Sequence, residues 1–124
     1  MNFIFYVLLF SLFPFIVQSQ IKLEKITPKI SNLWGIAIIN KDEILVTQRS
    51  GNVYRLNVFN KNIIKIEGAP KVYNSGQGGL LDIVFEKEND VQRVYLCLSK
   101  VIASNKSSTA IHSYNLKNDK LTNE

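Results

Sequence analysis

Beyond Lys29 the apolar positions fall in short runs, and no stretch keeps a helical period long enough to bury a helix face. Four of these runs, Trp34–Ile39, Glu43–Gln48, Val53–Phe59 and Asn62–Ile66, predict β-strands. The breaks between them are Asn40-Lys41-Asp42, Arg49-Ser50-Gly51-Asn52 and Asn60-Lys61, all residues that tolerate tight turns. Connections this short force antiparallel neighbours, so the four strands are expected to form a meander. Along Val53–Phe59 the residues Tyr54, Leu56 and Val58 alternate with Val53, Arg55 and Asn57, the period of a strand.

The order then starts again. Leu80–Phe85, Arg93–Ser99 and Thr109–Leu116 follow one another and lead into the turn-like Lys117-Asn118-Asp119. Gly35 and Gly79 hold similar places before apolar strands, which gives a repeat of about 44 residues, the length of one propeller blade. The first strand of each unit reads almost continuously apolar, as Ile36-Ala37-Ile38-Ile39 and Leu80-Leu81-Asp82-Ile83-Val84-Phe85 do, and so is expected to be covered on both faces. The chain is therefore read as all-β, with about one and three-quarters blades of a β-propeller. A closed propeller takes about 4–8 blades, so both ends of this unit would present apolar faces that need covering.

The first segment differs in kind. Phe3 to Val17 are almost wholly apolar, no charged side chain precedes Lys22, and the span is short of the roughly 20 apolar residues that cross a bilayer. Val17-Gln18-Ser19 fits a signal-peptidase site, so residues 1–19 are read as a signal peptide, 20–31 as a leader into the first strand and 32–124 as the propeller part. That reading places the protein in the periplasm or outside the cell, with no stable membrane insertion after cleavage. The n-region carries only the α-amino charge, so an uncleaved anchor stays open. The net charge of +5 comes from lysines interspersed with acids, and no basic stripe tracks a nucleic-acid backbone. One cysteine, Cys97, forms no internal disulfide and reads as a small hydrophobe in an alternating strand.

Candidate chemistry concentrates at Gly76-Gln77-Gly78-Gly79, a turn poor in side chains that leaves one amide little steric competition. The same letters also make an ordinary turn in which Gln77 bonds its own loop. In an antiparallel blade this turn, Arg49-Ser50 and the segment Lys100–Ser108 emerge at one rim. Arg49 reads either as a cation offered to a carboxylate there or as a solvated turn residue. Trp34 reads either as a stacking platform or as an aromatic packed between blades. The single histidine, His112, stands mid-strand and reads as structural. No paired-cysteine metal pattern, phosphate loop or Gly-x-Ser-x-Gly elbow is present. Asn105-Lys106-Ser107 matches a glycosylation sequon.

The run Gly76 to Phe85, preceded by Gly68-Ala69-Pro70-Lys71-Val72-Tyr73, resembles the soluble quinoprotein glucose/sorbosone dehydrogenases. Leu33-Trp34-Gly35-Ile36-Ala37, Ile44 to Gly51, Arg93 to Ser99 and Thr109 to Leu116 resemble that family's strands in the same order, so the likeness runs from Asn32 to Leu116. It implies the N-terminal part of a six-bladed β-propeller of the aldose sugar dehydrogenase type, incomplete in this chain. It also implies oxidation of a sugar's anomeric carbon with hydride transfer to pyrroloquinoline quinone, calcium polarising the cofactor and a separate electron acceptor. Gln77 is carried over as a substrate contact, its amide offering both donor and acceptor to sugar hydroxyls. The family's catalytic histidine lies in a His-aromatic-Gly-Gly type turn opening the third blade, and the calcium ligands and the basic quinone clamp follow it. All of these fall beyond Glu124, so neither cofactor site is expected to be complete here and the chain alone is expected to be inert. The alternative reading is a non-catalytic propeller that binds a carbohydrate or a protein over its central channel.

Overall fold

Asparagines turn this chain. Between β1 (Leu33–Ile38) and β2 (Glu43–Gln48), Asn40 Oδ1 accepts N–H bonds from Asp42 at 2.9 Å and Glu43 at 3.0 Å. Between β3 (Asn52–Asn57) and β4 (Ile63–Ile66), Asn57 Oδ1 does the same for Phe59 and Asn60 at 3.0 and 2.9 Å. A short amide that mimics a backbone acceptor closes the corner without help from the rest of the fold. In this computed structural model, which describes residues 20–27 and 30–122, β1 to β4 form one antiparallel sheet in sequence order. The proposed signal segment 1–19 lies outside the described residues, and Gln20–Thr27 carries no regular secondary structure.

A second four-stranded sheet repeats the plan with β5 (Leu80–Glu88), β6 (Val91–Ala103), β7 (Lys106–Lys117) and β8 (Lys120–Thr122). The fourth strand, β8, follows a turn at Asn118 and Asp119, both at positive φ, and completes a unit that the sequence pattern left one strand short. The strands of this sheet are longer than the apolar runs predicted. Lys100–Ser108 is a hairpin arm continuing β6 and β7, with Val101 opposite Ser107, and not a loop. Backbone pairing needs only extended residues and one tolerant corner, which Asn105 supplies at φ 56.

The repeat is real but its register differs from the glycine alignment. Both inner strands carry an irregularity, between Leu33 and Ile36 and between Leu80 and Ile83, and pairing with β2 and β6 matches Ile36 to Ile83. The spacing is therefore about 47 residues, and Gly35 corresponds to Asp82 while Gly79 stands before its strand. Facing direction agrees with this: Ala37 looks into the space between the sheets, whereas its counterpart Val84 looks away from it and is exposed.

The core lies between the two sheets. Ala37, Leu45, Val53 and Ile66 of the first pack with Leu80, Ile83, Leu96 and Leu98 of the second, and Tyr114, Leu116 and Leu121 close the outer part. Each fully buried leucine contributes about 1.5–3 kcal/mol by leaving water. At the outer edge Glu67 N–H donates to Asp119 O at 2.9 Å and Leu121 N–H to Glu67 O at 2.8 Å, and Arg55 Nη2 meets Asp119 Oδ1 at 2.9 Å. On the far faces several apolar residues stand open: Trp34, Ile36 and Ile38 on β1, and Val84 and Ile111 on the second sheet, while Val46 and Leu56 on the far face of the first sheet are buried. The two-sided cover expected for β1 is thus present on one side only.

Candidate functional site

The rim where β1 and β5 begin is built around Gly76–Gly79. Gly78 N–H donates to Ser75 O at 2.8 Å, closing a four-residue turn whose first corner, Gly76, has φ 54 and whose second corner is Gln77. A positive φ at the first corner is what a type II′ turn requires, and glycine adopts it at no steric cost. Gly79 then enters β5 at φ 149, and an added Cβ there would lie 2.4 Å from Arg49 O. Only a residue without a side chain fits that approach.

Arg49, in the β2–β3 turn, is fastened on every side. Its N–H donates to Asn32 O at 3.0 Å, and its carbonyl accepts Leu80 N–H at 2.9 Å. Its Nε donates to Gly78 O at 2.9 Å and its Nη2 to Gly76 O. The guanidinium thus grips the carbonyls on both sides of Gln77, a third arrangement beside the two that the sequence suggested. Gln77 itself is exposed, and its amide has no protein partner among the described residues. The bond to its own loop, open on sequence grounds, is not made. A primary amide standing free at a rim offers two donors and an acceptor to vicinal hydroxyls.

The opposite side of the loop leans on β6 at the base of the hairpin arm. Tyr73 N–H donates to Ser99 O at 2.7 Å, and Ser99 N–H donates to Gly79 O at 2.8 Å. Below the rim, buried Thr47 accepts Gly35 N–H and donates to Leu81 O, each at 2.8 Å, so one hydroxyl stitches β2 to β1 and the first sheet to the second. Neither Arg49's grip nor this stitch was read from sequence. The available signal was an arginine in a rim turn with no carboxylate beside it, opposite a glycine-rich run whose carbonyls no side chain shields.

The remaining candidates take no part in the hydrogen bonds of the rim loop. His112 is half-buried in β7, its Nδ1 3.1 Å from Tyr114 Oη, and burial pushes the Tyr114 phenol up. Trp34 shares its open face with Ile36 and Ile38 and is 55% exposed. Cys97 is half-buried on the far face of the second sheet, with Tyr95 and Ile111. Among the described residues no group of three or more His, Cys, Asp and Glu is placed to hold a metal ion. Arg49, read from sequence either as a cation offered to a carboxylate or as a solvated turn residue, spends its Nε and Nη2 donors on backbone carbonyls instead.

The family model for glucose / sorbosone dehydrogenase matches residues 30–124. Aldose sugar dehydrogenase YliI of Escherichia coli (strain K12) is 27% identical over 103 residues, which is 82% of this chain and 28% of that protein. The crystal structure of the soluble aldose sugar dehydrogenase from Escherichia coli, in its apo form, aligns with a TM-score of 0.71 at 30% identity, covering 80% of this chain and 30% of that one. The PQQ-bound form of aldose sugar dehydrogenase from Streptomyces coelicolor shares the fold, with a TM-score of 0.69 at 20% identity over 82% of this chain and 31% of that one. The chain spans less than a third of the length of these relatives.

Proposed function

Because this chain belongs to the glucose / sorbosone dehydrogenase family, we propose that it serves an exported aldose dehydrogenase that oxidises the anomeric carbon of a sugar with pyrroloquinoline quinone as acceptor. Within that enzyme the described residues build a recognition rim, and the base, the calcium ligands and the quinone clamp come from elsewhere. The observation that supports this best is the free amide of Gln77, exposed at the rim on a turn whose flanking carbonyls are held by Arg49. An uncharged group with both donor and acceptor suits a neutral polyol, and a site built to bond hydroxyls discriminates strongly against analogues lacking them. Export rests on the apolar segment Phe3–Val17 and the small residue at Ser19.

The test is sugar-dependent reduction of an artificial electron acceptor by the intact protein, purified and supplied with pyrroloquinoline quinone and calcium, across a panel of aldoses and matched deoxy sugars. Reduction that requires the anomeric hydroxyl carries the proposal. Saturable sugar binding with no dye reduction in any reconstituted preparation sinks the enzyme reading in favour of a carbohydrate-binding propeller.

A further inference from the structure

We propose that Arg49 is a positioning residue for sugar recognition, aiming the Gln77 amide by holding the carbonyls of Gly76 and Gly78 without itself touching the sugar. The inference rests on the reading of Gln77 as a substrate contact. A turn carrying three glycines is intrinsically loose, and an amide on such a turn loses affinity to the entropy of ordering it at the moment of binding. Arg49 removes that freedom beforehand. Its Nε and Nη2 reach the carbonyls one residue after and one residue before Gln77, respectively, so the corner bearing the amide is restrained from both sides. Charge-assisted donors make these bonds stronger than neutral ones.

The clamp is itself anchored. Arg49 N–H is held by Asn32 O at 3.0 Å and its carbonyl by Leu80 N–H at 2.9 Å, so the guanidinium starts from a backbone fixed to the segment before β1 and to the first residue of β5. Gly79 lets the two approach, since a side chain there would meet Arg49 Cγ at 2.6 Å. A planar fork with separated donors suits two carbonyls on different residues, whereas a lysine presents all its donors from one atom.

The test compares Gln77→Ala, Arg49→Met, Arg49→Lys and the double variant Gln77→Ala/Arg49→Met in the intact, reconstituted protein, reading KM and kcat separately with the thermal midpoint of each. One lost hydrogen bond in recognition corresponds to about a tenfold rise in sugar KM for Gln77→Ala. Arg49→Met should raise KM by a similar factor, Arg49→Lys by less, and the double variant by no more than the larger single, because both remove the same interaction. If Arg49→Met does not fold, the KM of Arg49→Lys decides. Arg49 variants with a lowered midpoint but unchanged KM, beside a raised KM in Gln77→Ala, overturn the positioning role and leave the sugar reading intact. An unchanged KM in Gln77→Ala overturns the reading of Gln77 and this inference with it.

Discussion

Replacing Thr47 with valine separates hydrogen bonding from burial in the joint between the two sheets. The side chain is fully buried, and its hydroxyl accepts Gly35 N–H and donates to Leu81 O at 2.8 Å each. Valine has nearly the same shape and a more favourable transfer from water, so burial alone predicts a neutral or stabilising change. The hydrogen-bond account predicts the reverse. Gly35 N–H would be left buried without an acceptor, at a cost of about 1–3 kcal/mol, and Leu81 O would lose one donor while keeping some access to water. The net expectation is a loss of about 2 kcal/mol for Thr47→Val. Thr47→Ser keeps both bonds and gives up one methyl group, about 1 kcal/mol. Stability should therefore fall in the order threonine, serine, valine. Urea unfolding followed by circular dichroism reads this as a shift in midpoint at constant slope. A valine variant as stable as the serine variant would refute the argument and assign the joint to packing alone.

Two further outcomes follow from the same geometry. Gly79→Ala places a Cβ 2.4 Å from Arg49 O at φ 149 and should cost more than about 2 kcal/mol, whereas Gly76→Ala, at φ 54 in open space, should cost about 1 kcal/mol; equal thermal shifts would contradict it. Burial raises the Tyr114 phenol above its ordinary 10.0, so the unfolded chain releases this proton first. Its stabilising contribution is present below pH 10.0 and is lost as pH rises through the folded value, and Tyr114→Phe should flatten the alkaline fall in stability; an unchanged slope argues against it.

Some residues announced their roles because those roles are local. Asn40 and Asn60 lie in breaks that the sequence marks as turns and bond their own neighbours, and Glu43–Gln48 forms a strand with the bounds its apolar run predicts. Other bounds moved for reasons a linear pattern does not carry. The arm over residues 100–108 pairs through backbone groups common to every residue, so its polar side chains gave no sign of a strand. The glycine alignment misjudged the repeat because the two glycines answer different contacts: Gly35 lies inside β1 against Leu81 and Asp82, whereas Gly79 precedes β5 against Arg49. At the rim, Gln77 was legible as an amide in a glycine turn. Arg49 was not legible as its clamp, because the bonds to Gly76 and Gly78 join residues 27 and 29 positions apart.

By itself the sequence determined the all-β class, the antiparallel order, the repetition of a strand unit and the likeness that identifies the family. These depend on side-chain periodicity and turn chemistry, which act over a few residues. Only the tertiary structure decided which faces meet, how the repeat is registered, what Thr47 stitches and what Arg49 holds. Such contacts are made by hydroxyls, carbonyls and a guanidinium that find partners only after the two sheets have packed, and backbone carbonyls are the same at every position of a sequence.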